Sequence, residues 1–216
     1  MVKIFDRRGE FIMIKHVIFD IGNVILDFDY KKVINQFTSI EEEKEFIMNN
    51  IIYSPEWLGF GLIDTGYITK EEAVEIVKDR TNHENDDLIE NFWNNYNDYA
   101  IVDNNVLNLI RELKEKGYNI YLLSNMNEYT YDFVKRSGLF DIVDGYVLSY
   151  QEHQIKPYIS IYNTLLNRYK LIPNECIFID DNEKNIETAI KLGMAGKIVK
   201  PDNYDSVIEV VNGLIK

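Results

Sequence analysis

The fold of this chain is decided by two short stretches, Val17-Ile18-Phe19-Asp20 and Ile177-Phe178-Ile179-Asp180-Asp181. Both are apolar runs that end on acid, and short apolar runs of this kind are typical of strands buried in a parallel sheet. Open α/β sheets place their sites at the carboxyl ends of such strands. We therefore expect Asp20, Asp180 and Asp181 to meet at one edge of a sheet.

The second half of the chain alternates between helix and strand patterns. Residues 106–116 place apolar side chains on one helical face, and Gly117 follows where the helix is expected to end. The alternation predicts strands at 118–123, 145–148, 176–179 and 197–199, and helices at 127–136, 158–169, 183–192 and from 204. Short strands regularly separated by helices predict an α/β fold, a Rossmann-like parallel sheet with helices on both faces.

Residues 30 to about 101 interrupt this alternation, because they carry helix signals and no convincing strand. Thr69 and Glu72 form a capping box that opens a helix through Lys78. The predicted divisions are a core of residues 13–28 and 102–216, an inserted all-helical cap domain of residues 29–101, and an N-terminal extension of residues 1–12 with Met13 as the natural start.

The predicted cap follows directly after the first acid-ended strand, so it can close over the site and exclude water. Its candidate pocket residues are Trp57, Phe60 and Tyr67. Packing inside the cap is the alternative role for each of them.

Composition limits what the chain can bind. With 216 residues, it fits one large domain or one domain with an insert. Its net charge of −13 argues against a nucleic-acid surface, which needs clustered Lys and Arg. No apolar run approaches the roughly 18 residues that span a bilayer, so no membrane partner is expected. The lone Cys176 lies in an apolar run and is predicted to be buried and inert. We expect a cytoplasmic protein, either a monomer or a small homo-oligomer.

The predicted cluster of carboxylates indicates phosphoryl chemistry. Gathered carboxylates repel one another unless a cation neutralises them, and Mg²⁺ takes few protein ligands and keeps several waters. A carboxylate such as Asp20, with Gly22 permitting a tight turn, can attack phosphorus and form an acyl phosphate that water hydrolyses. Lys156 is the candidate second positive charge. Ser124 and Asn125, at the end of another predicted strand, are candidate contacts for phosphate oxygens.

Each of these residues also has a purely structural interpretation. Asp20 fits a loop acid or an N-cap, and Asp180 and Asp181 fit caps of the helix that follows them. Ser124-Asn125 fits an ordinary turn, and Lys156 fits a solvated surface side chain. Their order and their placement at predicted strand ends favour the catalytic interpretation.

These stretches resemble the haloacid dehalogenase superfamily, in its helical-cap aspartyl-phosphatase branch. The four motifs of that family are similar, in order, to residues 17–24 (VIFDIGNV), 122–125 (LLSN), 156–157 (KP) and 179–185 (IDDNEKN). The resemblance extends from Met13 to the C-terminus, and it is nearest to the α-glucose-1-phosphatase-like group.

The resemblance implies a Mg²⁺-dependent phosphomonoesterase that works through a covalent aspartyl-phosphate intermediate on Asp20. The metal ligands that it implies are Asp20, the Gly22 carbonyl and Asp181, with Asp180 binding the ion directly or through water.

The resemblance also implies which groups hold the phosphate. Ser124 and Lys156 would bind the phosphoryl group, with Asn23 and Asn125 beside it, and Asn185 would steady the acidic loop. The implied partner is a small phosphorylated metabolite, a sugar phosphate such as a sugar 1-phosphate.

Two positions depart from the family pattern. The usual general acid is an Asp two residues after the nucleophile, where this chain has Gly22. Loss of a general acid slows catalysis by about 10² to 10⁴ if nothing replaces it. An anomeric phosphate needs that acid least, which favours sugar 1-phosphates and counts against a phosphomutase. The second departure is His153, which fits either a left-handed loop residue or a substrate contact.

Two other functions use the same features. A catalytically silent phosphate-binding or regulatory module would explain Gly22, but Asp20, Lys156 and Asp181 are all retained. A haloacid dehalogenase would use Asp20 without a metal, and the Asp180-Asp181 pair would then place unneutralised charge beside the nucleophile.

Overall fold

The computed structural model describes residues 3–5, 11–54, 61–200 and 204–215. The strands are β1 Lys3–Phe5, β2 Phe11–Met13, β3 His16–Phe19, β4 Leu26–Asp27, β5 Ile101–Val102, β6 Asn119–Ser124, β7 Gly145–Leu148, β8 Cys176–Asp180 and β9 Ala195–Ile198. The α-helices are α1 Tyr30–Phe37, α2 Glu41–Ile47, α3 Lys70–Arg80, α4 Asp86–Asn95, α5 Asn104–Glu115, α6 Glu128–Lys135, α7 Leu139–Ile142, α8 Ser149–Glu152, α9 Ile159–Tyr169, α10 Glu183–Lys191 and α11 Tyr204–Ile215. A π-helix covers Met48–Ile52, and 3-10 helices cover Tyr96–Tyr99 and Pro173–Glu175.

The central sheet has the strand order β7-β6-β3-β8-β9, and all of its strands run parallel. Val17 and Phe19 of β3 pack with residues of α5 and α11, whereas Ile18 packs on the other face with residues of α9 and α10. Burial on both faces explains the unbroken apolar run of β3. The predicted α/β fold, with helices on both faces of a parallel sheet, is confirmed.

The strand order reverses beside β3, because β6 and β7 extend the sheet to one side of it and β8 and β9 to the other. Open α/β sheets bind ligands at such a switch point, outside the carboxyl ends of the strands. Asp20 follows β3 at this edge, while Ser124 and Asp180 are the last residues of β6 and β8.

Most predicted elements of the second half lie within two residues of their observed bounds. Gly117 ends the first of these helices, with a φ of +88° that favours glycine. The short helices α7 and α8 were not predicted, because four residues are too few to show a helical period. Strand β9 begins at Ala195, earlier than predicted, and Gly196 lies close against the side chains of Ile186 and Ile190.

The insert has a hydrophobic cluster of its own, which includes Phe92, Trp93 and Tyr96. The predicted capping box opens α3. The Thr69 hydroxyl accepts from the Glu72 amide at 3.1 Å, and the Glu72 carboxylate accepts from the Thr69 amide at 2.8 Å.

Two short antiparallel pairs were not predicted, since strands of two or three residues give no readable alternation. Strand β4 pairs with β5 where the chain enters and leaves the helical insert, so both connections lie side by side. Strand β1 pairs with β2 ahead of the core.

Within the described part of the chain, no helix has the length and apolar character needed to cross a membrane. Cys176 is fully buried, as predicted, and burial raises the pKa of its thiol to about 12.

Candidate active site

Three carboxylates meet at the edge of the sheet where the strand order reverses. Asp20 follows β3, Asp180 ends β8, and Asp181 comes next in the chain. One oxygen atom from each lies within 4.8 Å of an oxygen of the other two. Asp180 is fully buried and Asp20 is 7% exposed. The structure therefore brings together the aspartates that the sequence predicts to meet.

Lys156 lies between two of these carboxylates. Its Nζ is 2.9 Å from Asp20 Oδ1 and 2.7 Å from Asp180 Oδ2, and the residue is only 1% exposed. Burial lowers the pKa of Lys156, but the attraction of Asp180 and Asp20 outweighs burial, so the pKa is raised overall. The alternative of a solvated surface lysine is thus wrong.

Asn125 holds the main chain of Lys156 in place. Its Nδ2 donates to the Lys156 carbonyl oxygen at 3.1 Å, and its Oδ1 accepts from the Lys156 amide at 2.8 Å. Ser124, which precedes it at the end of β6, is 1% exposed and lines the same cavity as Asp20. In the structure the Asn125 side chain positions Lys156, and its contact with phosphate stays a prediction.

Two further asparagines orient the acidic pair. Asn185 Nδ2 donates to both oxygens of Asp180, at 3.0 and 3.1 Å, as expected of a residue that steadies this loop. Asn23 Nδ2 donates to Asp181 Oδ2 at 3.1 Å, so its side chain contacts an acid of the cluster. The amide of Asn182 also donates to Asp180 Oδ1, at 2.8 Å. Asp180 is therefore the most fully hydrogen-bonded of the three acids.

The residues of the cluster fit a hard divalent cation. The pKa of Asp20 is raised to about 7, because burial and the charges of Asp180 and Asp181 together outweigh the opposing effect of Lys156. One ammonium group does not neutralise three carboxylates. Asn185 Oδ1 is buried at the same cavity without a hydrogen-bond donor among the described residues. Carboxylate and amide oxygens are the ligands that Mg²⁺ prefers.

A cavity of about 220 Å³ opens from the acidic cluster toward the helical insert. The insert contributes Tyr30, Asp64 and Tyr96 to its lining, and Phe28 lines the cavity from the segment that leads into the insert. Asp64 is 9% exposed, and Asn127 Nδ2 donates to its Oδ1 at 3.1 Å. The pKa of Asp64 is raised to about 7, because burial raises it more than the hydrogen bond from Asn127 lowers it.

Sequence reasoning missed Asp64, Asn127 and Tyr96 as members of this site. Asp64 lies in the turn between Gly61 and Gly66, and a lone acid in such a turn is an ordinary solvated loop residue by its local signals. Only the docking of this turn against the sheet domain places Asp64 in the cavity.

The turn that carries Asp64 is tied to the sheet domain through its main chain. Ser149 Oγ donates to the Asp64 carbonyl oxygen, and His153 Nδ1 lies 2.9 Å from the Thr65 carbonyl oxygen. His153 has a φ of +54°, so the prediction of a left-handed loop residue is confirmed. Its ring also stacks on Tyr67, with 5.0 Å between the ring centroids.

The aromatic residues predicted to line the pocket or to pack inside the cap are not found in either role among the described residues. Trp57 and Phe60 lie outside the described residues. Tyr67 is 68% exposed and rests on His153, so it neither lines the cavity nor packs inside the insert.

The parallel sheet, with an acidic cluster and a buried lysine at its carboxyl edge, makes this an α/β protein with a charged site where the strand order reverses. Residues 14–193 match the haloacid dehalogenase-like hydrolases, and the chain belongs to this family. The predictions of an enzyme and of this family are thereby confirmed, while the nearer likeness to the α-glucose-1-phosphatase-like group stays a prediction.

Named relatives extend over most of the chain. A D-ribitol-5-phosphate phosphatase of Bacteroides thetaiotaomicron is 27% identical over 201 residues, covering 88% of this chain and 93% of its own. A sesquiterpene phosphatase of Aspergillus oryzae is 24% identical over 183 residues, covering 84% and 88%. The crystal structure of a haloacid dehalogenase family enzyme from Bacteroides thetaiotaomicron, in complex with magnesium and inorganic phosphate, has a TM-score of 0.71 and 25% identity, covering 88% of this chain and 96% of that one.

Proposed function

We propose that this protein is a Mg²⁺-dependent phosphomonoesterase that acts on a small phosphorylated metabolite, a sugar phosphate, through an aspartyl-phosphate on Asp20. The observation that carries the proposal is the buried Lys156, held between Asp20 and Asp180 at the edge of a cavity of about 220 Å³. Family membership, two relatives named as phosphatases, and a related structure with magnesium and phosphate support it.

Asp20 is the proposed nucleophile. Its Oδ1 accepts from the Ile21 amide at 2.7 Å and from Lys156 Nζ at 2.9 Å, so the carboxylate is fixed in one orientation. Attack on phosphorus forms an acyl phosphate on Asp20 and releases the alcohol, and water then hydrolyses the acyl phosphate. Lys156 and Ser124, which line the same cavity, would hold the phosphoryl oxygens.

The residues that would hold Mg²⁺ are Asp20, Asp181 and the Gly22 carbonyl. Both oxygens of Asp180 already accept hydrogen bonds from protein groups, which favours contact through water for that residue. When bound, the ion neutralises the acidic cluster and polarises the oxygens of the transferred group.

The helical insert, residues 29–101, is the proposed cap that shields the site from water and selects the substrate. Its entry and exit strands pair side by side, which gives the cap one narrow connection to the sheet domain. Within the sugar phosphates, the absence of an acid at Gly22 favours sugar 1-phosphates unless another group protonates the leaving oxygen.

Phosphate release from glucose 1-phosphate, ribitol 5-phosphate and 4-nitrophenyl phosphate tests the proposal. We expect release by the wild type with Mg²⁺, none with chelator, and a loss of more than about 10³-fold in Asp20→Asn. Asp87→Asn, an exposed acid of the insert, is the matched control and keeps its activity.

Each contrary result has a defined meaning. Equal release by the wild type and Asp20→Asn would exclude the proposed nucleophile. Binding of metal and phosphate without turnover would favour the silent binding module. A higher efficiency on ribitol 5-phosphate than on glucose 1-phosphate would exclude the preference for anomeric phosphates.

A further inference from the structure

Gly22 stands where the usual general acid of the family is expected, so the core supplies no acid at this position. A Cβ built on Gly22 meets no atom within 4 Å, and the residue lines the cavity. Among the described residues, the carboxylates that line the cavity are Asp20, Asp181 and Asp64. Asp20 and Asp181 belong to the acidic cluster, so Asp64 is the remaining carboxyl group that can face a substrate.

Asp64 lies on the wall of the cavity where a leaving group has to be. In phosphoryl transfer, the attacking and leaving oxygens are roughly in line on opposite sides of phosphorus. Asp20 attacks from the sheet edge, so the leaving oxygen points toward the insert, which contributes Asp64.

The hydrogen bonds around Asp64 suit a group that gives and takes a proton. Asn127 Oδ1 accepts from the Thr130 amide at 2.9 Å and from the Tyr96 hydroxyl at 3.3 Å, so its Nδ2 is turned toward Asp64. Asp64 Oδ1 accepts that bond, and no ion pair with Asp64 is found among the described residues. Oδ2 therefore remains to carry the proton, and burial without a cation supports the protonated form.

The turn that carries Asp64 is held through its main chain as well as through the Asp64 carboxyl group. Ser149 binds the Asp64 carbonyl oxygen and His153 binds that of Thr65, so the main chain anchors the turn. A buried carboxyl group that lines the same cavity as Asp20 and Lys156, on a turn already anchored by its main chain, is a candidate for a functional role.

We propose that Asp64 is the general acid and base of this enzyme, in place of the acid missing at Gly22. The inference rests on the proposed phosphomonoesterase function. In the first step Asp20 bonds to phosphorus, the bond from phosphorus to the leaving oxygen breaks, and the Asp64 proton passes to that oxygen. In the second step ionised Asp64 takes a proton from water as the water oxygen bonds to phosphorus and Asp20 is released.

Asp64→Asn keeps the size of the side chain but removes the acidic proton. Two substrates separate the loss of the acid from a general loss of activity. Ribitol 5-phosphate has a poorly leaving alkoxide that needs protonation, whereas the 4-nitrophenolate of 4-nitrophenyl phosphate leaves unaided. We expect kcat/KM to fall about 100-fold more with ribitol 5-phosphate than with the aryl ester, and Asp87→Asn to change neither. Equal losses on both substrates, or no loss, would overturn the inference.

Adding an acid at Gly22 gives a second test. With ribitol 5-phosphate, Gly22→Asp should raise kcat/KM at least tenfold more in the Asp64→Asn background than in the wild type. If Gly22→Asp changes kcat/KM by the same factor in both backgrounds, or in neither, Asp64 is not the acid.

The pH profile gives a third readout. With ribitol 5-phosphate, kcat/KM of the wild type should fall above about pH 7, where Asp64 loses its proton, and Asp64→Asn should lack this limb. Tyr30 and Tyr96 from the insert and Asp20, Lys156 and Asp181 from the core share the cavity and are present in both proteins, so the comparison of the two profiles isolates the limb that depends on Asp64. If the fall of kcat/KM above about pH 7 persists in Asp64→Asn, a group other than Asp64 causes it.

The failure of this inference is distinct from failure of the proposed function. If the wild type releases no phosphate, or releases as much as Asp20→Asn, the phosphomonoesterase proposal fails and Asp64 has no such role. If the wild type is active, Asp20→Asn is not, and Asp64→Asn matches the wild type on both substrates, the function stands and the inference fails.

Discussion

At the scale of single residues, the site depends on one buried ammonium group. Lys156 Nζ contacts Asp20 and Asp180 in a setting with almost no solvent access. Two buried carboxylates without this partner would be strongly destabilised, because a buried charge that loses its partner keeps its desolvation cost. Lys156 therefore stabilises the fold as well as the proposed chemistry.

Lys156→Met should lower the free energy of unfolding by about 3 kcal/mol at neutral pH, since it leaves buried carboxylates uncompensated. Urea denaturation in the presence of chelator measures this. Lys15→Met is the matched control, because Lys15 pairs with Glu175 but is 46% exposed, and surface pairs contribute only about 0–1 kcal/mol. Equal losses in the two variants would show that the Lys156 contacts carry no special stabilisation.

At the scale of elements, the turn of residues 61–66 and helix α8 bring the insert and the sheet domain together. The Asp64 carbonyl oxygen accepts from Ser149, the first residue of α8. Gly66 has a φ of +70°, and a Cβ there would overlap the Tyr150 carbonyl group. Only glycine permits this close approach of two main chains.

Gly66→Ala should displace the turn that carries Asp64 and lower kcat/KM by about 10²-fold, since a misplacement of about 1 Å can cost that much. Gly117→Ala is the matched control, because Gly117 also has a positive φ, of +88°, but a Cβ there meets nothing within 4 Å. It should cost about 1–2 kcal/mol of stability and leave kcat/KM unchanged. Steady-state kinetics with ribitol 5-phosphate and urea denaturation measure both. If Gly66→Ala lost only stability, docking of the turn would be irrelevant to catalysis.

At the scale of the whole molecule, the acidic cluster links stability to metal binding. A cation that binds only the folded state stabilises it by about 2.7 kcal/mol at a concentration one hundred times its Kd. The cluster is assembled from β3 and β8, which are far apart in the chain, so the unfolded chain has no comparable site.

Adding Mg²⁺ to the chelated protein should therefore raise Tm by several degrees, measured by calorimetry without substrate. Asp181→Asn should lose most of this increase, because it removes a proposed ligand with little change of shape. Asp87→Asn should keep it. An equal increase of Tm in Asp181→Asn would place the bound ion elsewhere.

The amino-acid sequence by itself determined the sheet, the helices that flank it and the acidic cluster. Unbroken apolar runs such as residues 17–19 encode burial on both faces, and acids directly after them have to lie at the edge of a parallel sheet. These signals are local, so they are readable without knowing what packs where.

Tertiary structure decided what local signals do not contain. The sequence makes Lys156 a candidate site residue but also fits a solvated side chain there, and it treats Asp64 as an ordinary loop acid. Neither residue has neighbours in the chain that fix its surroundings. Both are buried by segments far away in sequence, Lys156 among strand ends and Asp64 against α6 and α8. Their burial and partners are long-range contacts, and these set the charge and the orientation on which the chemistry of each depends.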